Sequence, residues 1–112
     1  MISAEKALQR LKEGNLRFRS HDYADVDVGA ISRNQLVQAQ SPFAIILGCS
    51  DSRVPAELVF GQGLGDLFVI RVAGNIVAPS QIGSIEFAAE KFGTHLVVVL
   101  GHSMCGAVEA TL

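Results

Sequence analysis

Cys49, Asp51 and Arg53 stand within five residues of one another in the stretch Gly48-Cys49-Ser50-Asp51-Ser52-Arg53. A thiol, a carboxylate and a guanidinium at this spacing offer a soft ligand or nucleophile, a proton acceptor, and a cation able to grip that acceptor in a bidentate pair. A second cluster comes much later, in Gly101-His102-Ser103-Met104-Cys105-Gly106. His102 and Cys105 are three residues apart, so one turn at a helix start puts both on the same side. The two clusters hold both cysteines of the chain.

Cys49, His102 and Cys105 together form a Cys₂His set, which Zn²⁺ favours in tetrahedral geometry. Three protein ligands leave a fourth position, the feature that separates a catalytic zinc site from a closed structural one. Zn²⁺ with two thiolates and a neutral imidazole is net neutral. Asp51 is near enough to take the fourth position or to accept a hydrogen bond from whatever occupies it, and Arg53 can hold the same carboxylate away. Asp51 is therefore expected to act as a gate, with Arg53 holding it open. Water at such a zinc has its pKa lowered to about 7.

Each piece alone has a plainer reading. Cys49 could be a small buried hydrophobe, an H-x-x-C spacing arises by chance, and an Asp-Arg pair is usually a surface pair worth little. The combination is far more specific than its parts. Cys49 as a nucleophile is the competing chemistry. Phosphate-handling cysteine enzymes need a longer anion-binding loop, whereas only three residues separate Cys49 from Arg53. His21 and Asp22 read as solvated loop residues, and His95 as structural. Arg71 falls inside an apolar run, where a guanidinium must be paired; Asp66, Glu57 and Glu86 are its candidate partners.

The elements that position these groups are legible as alternating segments. Three apolar runs, Phe43–Leu47, Leu67–Val72 and Leu96–Leu100, are near-continuous, the pattern of strands buried on both faces in a parallel α/β sheet. Cys49 lies two residues past the first run and His102 two past the third. Functional groups in open α/β sheets gather at the carboxyl ends of strands. If the first and third runs are neighbours, in the sheet order 2-1-3, all three ligands converge. Ile2–Ser20 reads as an amphipathic helix capped by Ser3, with Ala4, Ala7, Leu8, Leu11 and Phe18 near one face and Gly14-Asn15 weakening its middle. The pattern alone packs this helix on its own domain. His21–Ile31 reads as a polar loop, and Ser32–Gln40 as a short helix ending before Pro42. Pro55–Phe60 is a second short helix, followed by a loop with Gly61, Gly63 and Gly65. Ser80–Phe92 is the clearest helix: Ser80 caps it after Pro79, Ile82, Ile85, Ala89 and Phe92 line one face, and Gly93 ends it. Gly106–Leu112 begins a helix without a stop signal.

At 112 residues the chain is one domain at most. It is 49% hydrophobic and 18% charged, and its mean hydropathy is positive. That is apolar for so small a chain, and points to an oligomer interface or to part of a larger domain. A net charge of −2 argues against nucleic acid. No run is long enough to span a membrane. With no apolar export signal after the first charges, a cytoplasmic setting with reduced thiols is expected.

These residues resemble the β-class carbonic anhydrase family. The resemblance rests on Cys49-Ser50-Asp51-Ser52-Arg53 with His102-x-x-Cys105-Gly106. It extends through Gln40-Ser41-Pro42, through Gly65 to Asn75, and through the helix around Leu11-Lys12-Glu13-Gly14-Asn15, covering essentially the whole chain. It implies a zinc-dependent lyase (carbonate dehydratase) that reversibly hydrates carbon dioxide to bicarbonate and a proton by a zinc-bound hydroxide. Zinc would be held by Cys49, His102 and Cys105, with Asp51 as fourth ligand in a closed state. In the open state Asp51, held by Arg53, would accept the hydroxide's hydrogen. The backbone N–H of Gly106 would help hold bicarbonate. Gln40 matches a residue that plant-like members use to bind substrate across a dimer interface, and Phe68 and Phe87 match aromatics lining that cleft. The resemblance also implies a homodimer or higher oligomer, with the N-terminal helix laid across the partner. Arg71 matches part of a non-catalytic bicarbonate site of some bacterial members. The Trp of that site falls on Ile46, so no such site is expected here. Family members run well past the helix after Cys105. The expectation is therefore a single domain over 1–112, with an N-terminal arm over 1–20 and a zinc-site core over 43–112, incomplete at its C-terminus. A zinc-binding fragment without activity is the alternative function.

Overall fold

The computed structural model describes residues 1–22 and 30–112. Most of the loop expected over 21–31 therefore lies outside the described residues. The elements run α1 (Ala4–Arg19), α2 (Ala30–Gln38), β1 (Ala44–Gly48), α3 (Ala56–Val59), β2 (Leu67–Arg71), a 3-10 turn (Ala73–Asn75), α4 (Pro79–Phe92), β3 (Val97–Leu100) and α5 (Gly106–Thr111). The three strands form a parallel sheet in the order β2-β1-β3, as the two-cluster reading requires.

The central strand is the core. All five residues of β1 are buried. On one face Ala44 and Ile46 join Ala7, Leu11, Phe43, Ala56, Val59 and Phe60 under α1 and α3. On the other, Ile45 is in register with Phe68, whose ring meets Phe87 and Phe92 of α4 at about 6 Å. Burying each of Ile45, Ile46 and Leu47 is worth about 1.5–3 kcal/mol. Burial on both faces holds only for β1. In β3, Val97 and Val99 are 43% and 55% exposed. They share the α4 side with Ile45 and Leu47 through register, and α4 packs over β1 and β2 instead. The apolar run registered a strand but not its place at an edge.

The helices follow local chemistry with three corrections. Ser3 caps α1, its Oγ accepting the Lys6 N–H at 3.2 Å. The buried stripe of α1 is Ala7, Leu11 and Gly14, while Leu8 stays exposed. In α4 the residue at the N-cap is Ala78, Pro79 is the first helical residue, and Ser80 sits inside the first turn. The Gln81 side chain supplies the cap by accepting the Ala78 N–H at 3.2 Å. Ala88, not Ala89, is the buried alanine of α4, and Ile82 is exposed. Gly93 ends α4 at φ 66° as expected, a left-handed position that favours glycine.

Gly14 is where α1 docks, rather than a weak point. A Cβ there would lie 1.6 Å from the Phe60 carbonyl oxygen. The same close approach lets Asn15 donate to the Val59 carbonyl at 2.9 Å and Arg17 to the Gly61 carbonyl at 2.8 Å. Gly14→Ala should thus lift α1 from α3 and cost about 3 kcal/mol or more, read from the urea unfolding midpoint. Gly83→Ala in α4, where a Cβ meets nothing within 4 Å, should stabilise by about 0.5–1 kcal/mol.

Candidate metal centre

Parallel pairing of β1 with both neighbours brings the ends of all three strands to one edge. Gly48, the last residue of β1, is in register with Arg71 of β2 and Leu100 of β3. Cys49 therefore leaves the sheet beside the loop that carries His102 and Cys105. The Sγ atoms of Cys49 and Cys105 are 4.0 Å apart. With His102 their ligand atoms all lie within 4.8 Å of one another, and this is the triad with metal-ligand chemistry among the described residues. A tetrahedral zinc with bonds of about 2.3 Å to sulfur sets its sulfurs about 3.8 Å apart, so the spacing fits.

The imidazole completes the test of fit. Nδ1 of His102 lies 2.9 Å from the Ser103 carbonyl, which fixes the proton on Nδ1. Nε2 then carries a lone pair, and it is buried with no hydrogen-bond partner. A buried, unpaired nitrogen facing two thiols fits a soft cation.

Hydrogen bonds around Cys49 favour its thiolate. The Cys49 thiol is lowered to about 6 by the Asp51 N–H, then the His102 imidazole, then the Gly74 N–H, against the opposing effect of burial. The Gly74 N–H reaches Cys49 Sγ at 3.2 Å. His102 is raised, first by Cys49 and then by the Ser103 carbonyl. Sequence reasoning missed Gly74; its signal was a glycine after β2, held here at φ 74°.

Asp51 is held rather than free. Arg53 donates Nε to Oδ1 at 2.9 Å and Nη2 to Oδ2 at 2.8 Å, and its backbone N–H adds a third bond to Oδ1 at 2.8 Å. These bonds hold the carboxyl well below the usual carboxylate range, the Arg53 side chain contributing most. Asp51 Oδ2 lies 4.0 Å from His102 Nε2, near the cluster but paired with Arg53. Arg53 also donates to the Met104 carbonyl at 3.0 Å, tying the two loops together. Met104 adopts φ 55° to present that carbonyl.

Arg71 does not use the carboxylates expected for it. Its residue is exposed at the end of β2, and its guanidinium donates to the Cys49 carbonyl at 2.9 Å and the Asp51 carbonyl at 2.7 Å. Asp66 instead pairs with Arg10 at 3.6 Å and accepts the Gly63 N–H. Gly106 opens α5 directly after Cys105. Gln40 precedes β1 and donates to the Leu36 carbonyl at 3.4 Å. Phe68 and Phe87 pack together on the α4 face. Gln40 precedes β1 and Phe68 is in register with Ile45, four residues or about 13 Å along the strand from Cys49. Within one chain these three do not join the cluster.

Known proteins resemble this chain in sequence and fold. The family model described as carbonic anhydrase matches residues 44–112. A carbonic anhydrase of Mycolicibacterium smegmatis is 49% identical over 106 residues, covering 95% of this chain and 52% of the relative. The structure of the β-carbonic anhydrase CcaA superposes with a TM-score of 0.68 at 35% identity, over 94% of this chain and 52% of that one. A tetrameric β-carbonic anhydrase of Sordaria macrospora gives 0.67 at 28% identity, over 94% and 53%. The chain thus spans about half the length of the relatives it matches. Sequence, sheet order and the meeting of two distant clusters point the same way: the chain belongs to the β-class carbonic anhydrase family.

Proposed function

We propose that Cys49, His102 and Cys105 bind zinc and that the site reversibly hydrates carbon dioxide to bicarbonate and a proton. The observation that carries this is the orphaned Nε2 of His102 facing two thiols, with an arginine-held carboxylate alongside. When bound, zinc supplies a Lewis acid that makes water nucleophilic near neutral pH.

The chain's own residues supply the rest. Asp51 stays ionised, so it acts only as a hydrogen-bond acceptor. It can receive the O–H of the attacking water and turn the oxygen lone pair towards the carbon of CO₂. Arg53 keeps Asp51 in that role and away from the ligand cluster. Gly106, first in α5, would offer its N–H to bicarbonate.

A second copy is part of this reading. Gln40, Phe68 and Phe87 stand far from Cys49 in their own chain, so a homodimer or higher oligomer would bring them to a partner's site. The exposed Ile76, Val77, Ile82 and Phe87 are apolar surface suited to such a contact. In this reading α1, which packs on its own core through Ala7, Leu11 and Gly14, turns its exposed Leu8 and Leu16 to the partner. Arg71 is engaged by backbone carbonyls and no Trp exists, which supports a plant-like site without the second bicarbonate pocket. No helix among the described residues is long and apolar enough to cross a membrane; a cytoplasmic place and no nucleic-acid partner belong to the proposal.

Zinc should bind at one equivalent, and His102→Ala or Cys105→Ser should weaken it by about 100-fold or more in a chelator competition. The Cys49 thiol is lowered to about 6, so protons compete with the metal for it below that value, and the apparent zinc affinity in a chelator competition should fall as pH drops below about 6. Asp51→Ala and Arg53→Ala should keep zinc yet lose about 10²–10³ in the stopped-flow hydration rate. A full equivalent of zinc with no rate above buffer would favour a zinc-binding fragment without activity. Ready alkylation of Cys49, and not Cys105, in zinc-loaded protein would favour the nucleophile reading.

A further inference from the structure

We infer that Arg71 is a positioning residue for the proposed hydration site: its guanidinium clamps the backbone of Cys49-Ser50-Asp51 so that Asp51 stays out of the metal's fourth position. The inference rests on the function proposed above and deepens it.

The chain makes its last ladder contact at Gly48, whose carbonyl accepts the Val72 N–H at 3.0 Å. Beyond that point the backbone of β1 turns away from the sheet and its carbonyls lose their strand partner. Arg71, in register with Gly48, replaces the ladder with its side chain. Nε takes the Cys49 carbonyl and Nη2 the Asp51 carbonyl, at 2.9 and 2.7 Å. Two carbonyls two residues apart, gripped by one rigid planar fork, fix the backbone between them. A lysine has a single donor head and cannot span both in this way.

The clamp matters because Asp51 is close to misplacement. Its Oδ2 is already 4.0 Å from His102 Nε2. Joining the ligand set requires the residue to swing towards His102. Arg53 restrains the carboxylate by its side chain, and Arg71 restrains the same residue by its carbonyl. The Val54 N–H also reaches that carbonyl at 3.2 Å. Arg53 without Arg71 grips a carboxylate on a loop free to shift. The Cys49 carbonyl lies on a ligand residue, so the same fork sets the direction from which the thiolate enters the site.

The test uses the full chain loaded with Co²⁺ as a spectroscopic stand-in for zinc, alongside hydration kinetics of the zinc form. Arg71→Met should retain one metal equivalent, change the cobalt absorption spectrum as a carboxylate oxygen joins the ligands, and lower kcat by about 10- to 100-fold. Arg71→Lys should fall between the two. In an Asp51→Ala background, Arg71→Met should change neither spectrum nor kcat further, because its effect runs through Asp51. The proposal is overturned by an unaltered cobalt spectrum in Arg71→Met. It is equally overturned if the kcat losses of Arg71→Met and Asp51→Ala multiply, the mark of a merely structural role. If Arg71→Met fails to hold metal, an unaltered spectrum in Arg71→Lys overturns it. An unmodified chain that binds cobalt but does not hydrate CO₂ refutes the functional reading, while the spectra still decide the role of Arg71.

Discussion

Two thiols and an imidazole converge with their ligand atoms within 4.8 Å of one another, and the rest of the molecule is arranged around that convergence. Without a cation the cluster keeps a buried imidazole nitrogen with no hydrogen-bond partner. The rigidity has to come from elsewhere. It comes from β1, buried on both faces and paired on both edges, which delivers Cys49 to a fixed point. β3, pinned beside β1 in parallel register, delivers His102 and Cys105 to the same edge. The Gly74 N–H and the clustering of donors around Cys49 then favour the thiolate. The fold gathers two thiols and an imidazole and leaves one buried nitrogen among them without a hydrogen-bond partner.

Two guanidinium groups organise the boundary of that site. Arg53 neutralises Asp51 and ties its loop to the loop of Met104. Arg71 grips the backbone on either side of Ser50. Each uses the fork geometry of arginine, one on a carboxylate and the other on a pair of carbonyls. Between them they hold both the carboxylate and the backbone carbonyl of Asp51. The same positive charges offset the Asp51 carboxylate and the nearby Cys49 thiolate.

The constellation was more legible in the sequence than its supports. Cys49, His102 and Cys105 could be read because residue type and placement after apolar runs are local signals, and the sheet order followed from requiring them to meet. Gly14 was misjudged because helix propensity is local, whereas the Phe60 carbonyl that demands a missing Cβ is far along the chain. Arg71 was recognised as needing partners, but carboxylates were expected; backbone carbonyls carry no mark in a sequence. Val97 and Val99 looked like core because β-branched runs signal a strand whatever covers it. Ser80 reads as a cap by residue type, yet Pro79 already sits in the first turn and Gln81 does the capping. Gln40, Phe68 and Phe87 came from resemblance to the family, and one chain does not carry them to the cluster.

X-ray absorption at the zinc edge of the metal-loaded chain tests the central claim most directly. Two sulfurs at about 2.3 Å and one imidazole nitrogen at about 2.0 Å, with a single further light atom, are the predicted result. A zinc surrounded by oxygen and nitrogen alone, or by only one sulfur, would contradict the convergence of Cys49, His102 and Cys105 on one ion.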